Sequence, residues 1–452
     1  MTGSIEAQSV RQFAAAILAN VDRRQAYADV LLDQTLRTND LNDRDRALLT
    51  ELVYGALRWR GTIDARLGRQ VRRSLADTDA LIRNLLRVTA YQLFFLDRIP
   101  DYAAVNEAVE VAKRLRGAKS AGFVNGVLRN LLRQEDSVGQ STDPVTAHQE
   151  EEFSHPRWLI ERWIDQFGPD QASALMHANN QRAPLVLRAN RLKGSRDRLR
   201  ERLCEAGVVA RPSRWAPDGI VVESAGSVEK LPGYDEGLFQ IQGESAQLIA
   251  HLLAPEPGER ILDACAAPGG KSCYIAELMN DSGAVIALDQ SARGVERIRA
   301  NAARLGLRAI ETAQADVTQA LPDALFEPYD RILVDAPCSG LGTLRAHPEI
   351  KWRRQPADIA RLSRLHEKIL RRVAGYLKLG GTLVYSTCTL TQEENDRTVE
   401  AFLARHKEFE LDDAARYLPE PARQMVRGQY FQALPQRDNT DGFFAARLRK
   451  AL

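Results

Sequence analysis

Residues 260–289 read RILDACAAPGGKSCYIAELMNDSGAVIALD. Ile261 and Leu262 end a short apolar run that stops at Asp263. A loop of small residues, Cys265 to Gly270, leads into a helical stretch that opens near Lys271. Ala284 to Leu288 is a second apolar run, and it ends on another acid, Asp289. Strand, small-residue loop, helix, strand, acid is the layout of a nucleotide-binding crevice, where the loop admits a ligand close to the backbone and the second acid accepts from ribose hydroxyls. GGKS resembles the end of a phosphate loop, but that motif requires Gly at position 265, where Cys265 stands. The dehydrogenase pattern G-x-G-x-x-G is also absent, because Ala266, Ala267 and Pro268 interrupt it. Acids on both flanking strands suit a ligand that is adenosine-like and cationic, such as S-adenosylmethionine.

From Pro255 onward the same alternation continues. Ala309–Ala313, Arg331–Asp335 and Thr382–Tyr385 read as further strands with helices between them, which predicts a doubly wound, largely parallel sheet. Phe443–Leu448 is a late strand expected to close one edge. Ligands in such sheets lie beyond the carboxyl ends of the strands. Asp263, Asp289, Asp316 and Asp335 fall at or just past such ends and are expected to share one rim. Two cysteines join them: Cys338 in DAPCSG (335–340) and Cys388 in YSTCTL (385–390).

The rest of the 452-residue chain is of another kind. Residues 8–134 carry apolar positions at helical spacing (Val10, Phe13, Ala14, Ile17, Leu18; Leu48, Leu49, Leu52, Val53, Leu57), with Thr78 or Asp79 placed to cap a helix over Leu81–Leu96 and Pro100 placed to break it. No strand pattern intervenes, so an all-helical domain is expected. Residues 135–154 are polar and acidic and read as a linker. Residues 155–240 mix strand-like runs (Leu185–Leu187, Gly219–Val222, Leu238–Ile241) with a helix at Arg196–Ala206, and Glu244–Leu253 reads as a helix feeding the main domain. The predicted division is therefore 1–140 helical, 155–240 small and mixed α/β, and 241–452 α/β Rossmann-like with a mostly parallel sheet.

Net charge is only +2, but Arg58–Arg133 holds 15 Lys/Arg against 7 Asp/Glu, and Arg345–Arg372 holds 9 against 3. Two basic stretches in one chain point to a polyanionic partner. No run approaches the roughly 20 apolar residues of a membrane span, and the first residues lack the features of a signal peptide. Five cysteines, odd in number and unevenly spaced, argue against a disulfide framework. With no C-x-x-C pair and no matching histidines, no metal is expected either. A cytoplasmic protein is the expectation.

In combination, DACAAPGGK (263–271), Asp289, QAD (314–316), DAPCSG (335–340) and STC (386–388) resemble the RNA cytosine-5 methyltransferases. With a helical, NusB-like stretch ahead of them that includes VNGVLRN (124–130), they resemble the RsmB (Sun/Fmu) branch, which acts on small-subunit ribosomal RNA. The resemblance implies that Cys265, Ala266, Ala267, Pro268, Gly269, Gly270 and Lys271 contact S-adenosylmethionine. It implies that Asp289 holds the ribose hydroxyls and Asp316 lies by the adenine. Asp335 then serves both the cofactor site and the reacting centre, Cys388 is the nucleophile, and Cys338 assists product release. The implied partner is small-subunit (16S) ribosomal RNA, modified at the cytosine usually numbered 967, with no DNA or membrane partner and a monomeric enzyme. A transfer-RNA cytosine-5 methyltransferase and an inert RNA-binding or assembly factor are the alternatives. Gly243 stands where the family often has Asp, and Thr389 follows Cys388 where Ser is common.

Overall fold

The computed structural model describes residues 9–24, 27–134, 145–223 and 226–451. It divides into two compact units. One holds the chain up to Gln181 together with Leu344–Arg353, and the other holds the remainder.

Among the described residues the first unit holds α1 (Val10–Arg24), α2 (Ala28–Thr38), α3 (Asp43–Arg58), α4 (Arg60–Gly68), α5 (Ala80–Phe95), α6 (Asp101–Arg116), α7 (Ala118–Gln134), α8 (Val145–Phe153), α9 (Arg157–Phe167) and α10 (Pro169–Asn179), with a short helix Ile350–Arg353 from the later segment. Helix α5 is the apolar centre, with Leu85, Leu86, Val88 and Ala90 packed against Ala14, Ile17, Leu18, Leu49, Leu52 and Val53. Asp79 caps it, its carboxylate accepting from the backbone N–H groups of Leu81 and Ile82 at 3.0 and 3.2 Å. Helix α5 ends at Phe95 with Leu96 as its cap, before Pro100, which stands instead at the start of α6.

The expected linker is a helix over part of its length. Residues 135–144 lie outside the described residues, whereas 145–153 form α8, which Thr62 meets by donating its hydroxyl to Glu151 O. Helices α9 and α10 also pack in this unit, so its boundary by packing falls at Gln181 while composition placed a change at 155.

Part of the basic charge counted in the sequence is internal. Arg87, 5% exposed, makes a two-pronged ion pair with Asp64 at 2.7 Å and a further one with Asp22 at 3.0 Å. Burial alone would raise the Asp22 carboxyl, but Arg60 and Arg87 outweigh it and hold it below the usual carboxylate range. Arg58 and Arg345 are buried too. What remains exposed on α6 and α7 is Lys113, Arg114, Arg116, Lys119, Arg129 and Arg133.

Residues 344–353 are threaded into this unit. Lys351 is fully buried and donates to Arg58 O (2.8 Å), Ser154 O (2.8 Å) and Asn180 Oδ1 (2.9 Å). Trp352 Nε1 donates to Leu57 O at 2.8 Å, and Arg58 donates to Arg345 O at 3.1 Å. Helix ends leave carbonyls without intrahelical donors, and here a single ammonium serves the last carbonyl of α3 and two groups beyond α8 and α10. Burial, then the neighbouring Arg58, pushes its pKa well down, while the three oxygen acceptors favour the charge.

The second unit contains two sheets. The smaller is antiparallel in the order β2–β3–β1–β4, from β1 (Leu185–Ala189), β2 (Ala210–Pro212), β3 (Gly219–Val222) and β4 (Phe239–Ile241), with α11 (Arg196–Glu205) covering it through Leu199 and Leu203. Then come α12 (Glu244–Leu253), β5 (Arg260–Asp263), α13 (Gly270–Leu278), β6 (Ala284–Asp289), α14 (Ala292–Leu305), β7 (Ile310–Gln314), β8 (Tyr329–Asp335), a helix Pro356–Val373, β9 (Leu377–Thr387), a helix Asp396–Arg405, β10 (Phe409–Asp412), β11 (Val426–Arg427), β12 (Tyr430–Ala433) and β13 (Phe443–Lys450).

The large sheet runs β11–β12–β13–β9–β8–β5–β6–β7, with β10 paired to β13; β5 to β9 are parallel. Alternate residues face opposite layers. Ile261, Leu333 and Val384 join α12, α13 and α14 on one side. Leu262, Ile332, Val334 and Leu383 join the helices Pro356–Val373 and Asp396–Arg405 on the other. Strand β13 was expected at an edge. It is interior instead, antiparallel to β9 on one side and paired with β12 on the other, because the short strands β11 and β12 extend the sheet past it.

Replacing Lys351 with Met keeps the bulk but leaves three buried acceptors without their donor. The first unit should lose about 2–4 kcal/mol in urea unfolding. An unchanged midpoint would mean the lysine contributes nothing there.

Candidate active site

The strand order reverses direction between β5 and β8, so the loops after these two strands turn away from each other and open a crevice. Lys271 and Asp335 face each other across it. Lys271, from the first turn of α13, donates Nζ to Asp335 Oδ2 at 2.6 Å, and Asp335, the last residue of β8, accepts at Oδ1 from Ser386 Oγ at 2.8 Å. Burial opposes the charge on Lys271, but the carboxylate beside it outweighs burial and holds the ammonium above its ordinary range. The lysine neither hangs free nor simply closes its own loop; it ties the loop to β8.

The loop itself is drawn tight. Ala266 N–H donates to Leu288 O (2.8 Å) and Ala267 N–H to Asp289 Oδ2 (3.3 Å). Gly269 has φ +98°, a left-handed conformation that favours glycine. Asp263 is buried behind the loop and accepts from Ser272 Oγ at 2.6 Å; burial pushes its carboxyl up to about 7. Cys265 is likewise pushed up, mainly by burial. Asp289 ends β6, with Oδ1 accepting from Ser291 N–H at 2.9 Å. A Cβ at Gly294 would come 2.5 Å from that same oxygen, so only glycine lets α14 start this close to the acid. Asp316 is exposed two residues past β7, and a hydrogen bond from Thr318 N–H (2.9 Å) holds its carboxyl low.

The rim therefore carries Asp289, Asp335 and Asp316 along adjacent strand ends, with Asp263 turned inward.

Strands β8 and β9 are neighbours in register, Asp335 opposite Ser386. Three residues beyond one and two beyond the other stand Cys338 and Cys388, whose sulfurs lie 3.2 Å apart. Both are partly exposed. The hydrogen bond shared with Cys388, and then burial, hold the Cys338 thiol well above its ordinary range. Cys388 O accepts from Gly342 N–H at 3.0 Å, where a side chain is excluded because a Cβ would meet Gly442 O at 2.1 Å. Asn395 holds the turn after Cys388, accepting from Thr387 Oγ1 (2.6 Å) and donating to Thr389 O (3.0 Å). Gly243, noted above for lacking a carboxylate, has one nearby: a Cβ there would lie 3.1 Å from Asp441 Oδ2.

Two supports escaped the sequence reading. Arg188, the one charged residue in the apolar strand LVLRA, is fully buried and donates to Gly270 O (2.8 Å), Glu277 Oε1 (2.6 Å) and Gln242 Oε1. An arginine inside an apolar strand was the available signal. Arg354 donates to Ser339 O (2.9 Å) and Cys338 O (3.2 Å), holding the backbone of the Cys338 loop. It sits in a run of cations that gave no hint of this.

A doubly wound sheet with an acid-lined rim and a reversal point at its centre defines a Rossmann-like methyltransferase domain. Matches to known families agree along the chain. The description 16S rRNA methyltransferase RsmB/F matches residues 250–449, the NusB family 8–133, and the RsmF/B-like ferredoxin-like domain 155–229. The chain is 40% identical to the probable ribosomal RNA small subunit methyltransferase B of Bacillus subtilis, over 98% of this chain and 99% of that one. It is 37% identical to ribosomal RNA small subunit methyltransferase B of Escherichia coli over 98% and 99%. Among solved structures it resembles PH0851, with TM-score 0.85, 26% identity and coverage of 98% and 99%. It also resembles a methyltransferase homologue from Pyrococcus horikoshii, with TM-score 0.58, 29% identity and coverage of 68% and 99%. The chain belongs to the ribosomal RNA small subunit methyltransferase B family.

The raised Asp263 carboxyl has a stability consequence. Between its unfolded value near 3.8 and the folded value of about 7, the folded chain holds a proton that the unfolded chain has released. Its contribution is present below that window and is lost as pH rises through it. Asp263→Asn cannot titrate. The stability of the wild type relative to this variant should therefore fall by about 1.4 kcal/mol per pH unit across the window. Parallel urea unfolding at several pH values checks this, and a flat difference would refute it.

Proposed function

We propose that this protein methylates carbon 5 of a cytosine in small-subunit ribosomal RNA, with S-adenosylmethionine as methyl donor and cytosine 967 as target. The observation that carries the reading is the pair of sulfurs 3.2 Å apart at the ends of β8 and β9, beside Asp335. Two thiols and a carboxylate are what C5 alkylation needs, because cytosine C5 is a poor nucleophile until something adds to C6.

The loop Cys265–Lys271 and Asp289 fit the donor. The loop lies close under the rim with Gly269 in a left-handed turn, and each Asp289 oxygen, accepting one backbone N–H, keeps a further lone pair for a ribose hydroxyl. Asp316 lies beyond the next strand for the base. A line of carboxylates also suits a cationic ligand. S-adenosylmethionine supplies an electrophilic methyl on sulfonium; the other tasks fall to the chain.

Cys388, as thiolate, adds to C6, and the electron pair of the C5–C6 bond becomes available at C5. Asp335, in its protonated form, donates a hydrogen bond or its proton to ring N3 and so stabilises the charge that develops there. Once C5 carries the methyl, its proton must leave so that Cys388 can be expelled and the double bond restored. Cys338 removes that proton, directly or through water. While Cys388 is free, its hydrogen bond helps keep the proton on Cys338, and bonding of Cys388 to C6 withdraws that partner. The exposed cations of α6 and α7 hold RNA phosphates, and a loop cytosine is unstacked at little cost.

Incubation with labelled donor and purified small-subunit RNA should give 5-methylcytosine, mapped to position 967. Cys388→Ala should lower transfer by at least about 10²–10⁴-fold. Cys338→Ala should accumulate a covalent RNA adduct, seen as a retarded band on a denaturing gel. Label on transfer RNA alone would reassign the substrate, and RNA binding without any transfer would make the protein an assembly factor. Affinity should fall steeply with salt, by a log–log slope of about −0.7 per phosphate held. A flat response would remove the phosphate contacts from the account.

A further inference from the structure

Beneath the two thiols lies a carboxylate that the reaction does not consume. Glu394 is fully buried on a single 3-10 turn, Gln392–Glu394. Its Oε1 accepts from Ser339 N–H at 2.8 Å. Its Oε2 accepts from Ser339 Oγ at 2.5 Å and from Thr391 Oγ1 at 2.8 Å. Ser339 follows Cys338 directly, and Thr391 lies three residues past Cys388. Ser339 Oγ is also 2.7 Å from Thr389 Oγ1, the residue after Cys388.

Among the described residues no lysine or arginine pairs with Glu394. His366 is close by, its Nε2 3.0 Å from Pro337 O and its Nδ1 2.8 Å from the Tyr385 hydroxyl. Burial lowers its pKa, although the charge of Glu394 works against this. A buried carboxylate without a counter-ion is held by its hydrogen bonds alone. Two of those bonds come from Ser339, next to Cys338, and one from Thr391, three residues past Cys388. One backbone bond also joins the two loops, Gly342 N–H to Cys388 O at 3.0 Å; Glu394 adds a side-chain link at Ser339, directly beside Cys338.

We propose that Glu394 is the positioning residue that fastens the Cys338 loop to the Cys388 loop and so keeps the two sulfurs within reach of one base. This rests on the reading of Cys338 and Cys388 as a working pair. Asp335 and Lys271 fix the strand ends; Glu394 fixes what lies beyond them.

The test measures sulfur separation without RNA or methyl donor. Phenylarsine oxide condenses with two neighbouring thiols, releasing one water, and so binds tightly only when both sulfurs are close. The wild type should bind one equivalent at this pair, and Cys338→Ala and Cys388→Ala should each abolish it. Glu394→Ala should weaken binding by about tenfold or more, the worth of one buried hydrogen bond to a charged group, with monofunctional alkylation of the thiols unchanged. In the methyl-transfer assay the same variant should lower kcat with KM for RNA unchanged. Glu394→Gln keeps an acceptor for Ser339 N–H while the hydroxyls rotate to accept, so it should fold and show a smaller loss in both measurements; it decides the matter if Glu394→Ala does not fold. Wild-type arsenical affinity in a folded Glu394→Gln and Glu394→Ala pair would overturn the proposal, as would a change in KM with kcat intact. Loss of arsenical binding in the variants, in a protein that methylates no RNA, would leave Glu394 as the loop fastener and overturn the catalytic reading instead.

Discussion

The ion pair between Lys271 and Asp335 spans the one place in the large sheet where neighbouring strands send their loops in opposite directions. Left open, that gap would part the donor-side loop from the strand that carries the thiols. A 2.6 Å charge-assisted bond closes it and still leaves the crevice accessible, since a lysine bridges without filling. From this point the site extends two ways: along β5, β6 and β7 runs the acidic rim, and along β8 and β9 run the two cysteines. Asp335 belongs to both, accepting from Lys271 on one side and from Ser386 on the other.

The cysteine pair depends on strand register. Asp335 and Ser386 are opposite each other in a parallel ladder, so Cys338 and Cys388 leave the sheet side by side although 50 residues separate them. The register delivers the chain to the right place, and groups outside the sheet then do the holding: Arg354 on the Cys338 carbonyl, Gly342 and Asn395 around Cys388. None of these touches sulfur. They act on backbone and leave the two sulfurs facing each other.

Between Cys338 and Arg354 the chain spends residues 344–353 in the helical unit, where Lys351 and Trp352 close helix ends. Several cations that look like an RNA surface in the sequence are committed to such internal work. Arg58, Arg87, Arg345 and Lys351 are buried, so the charge free for phosphate is smaller than a residue count suggests; exposed cations stand on α6 and α7 and on the helix Pro356–Val373, at Arg361, Arg364, Lys368, Arg371 and Arg372. A net-charge argument cannot see this, because it treats every lysine and arginine as solvent-exposed.

What could be read from the chain alone was whatever is encoded locally. Helical spacing of apolar residues settled the first unit, alternation of apolar runs with helices settled the parallel sheet, and Asp289, Asp335, Cys338 and Cys388 could be named because each ends a strand or lies within three residues of its end. Local signals also misled where neighbours in space decide the outcome: β13 reads as an edge strand until the short β11 and β12, too weak to be seen in the sequence, pair beyond it, and residues 145–153 read as linker although they fold as a helix against α4. Tertiary structure alone decided the 3.2 Å approach of the sulfurs, the tie of Lys271 to Asp335, and the burial of Arg188 and Glu394. Those depend on register and on through-space hydrogen bonds between residues tens to hundreds of positions apart, and no periodicity along the chain records such distances.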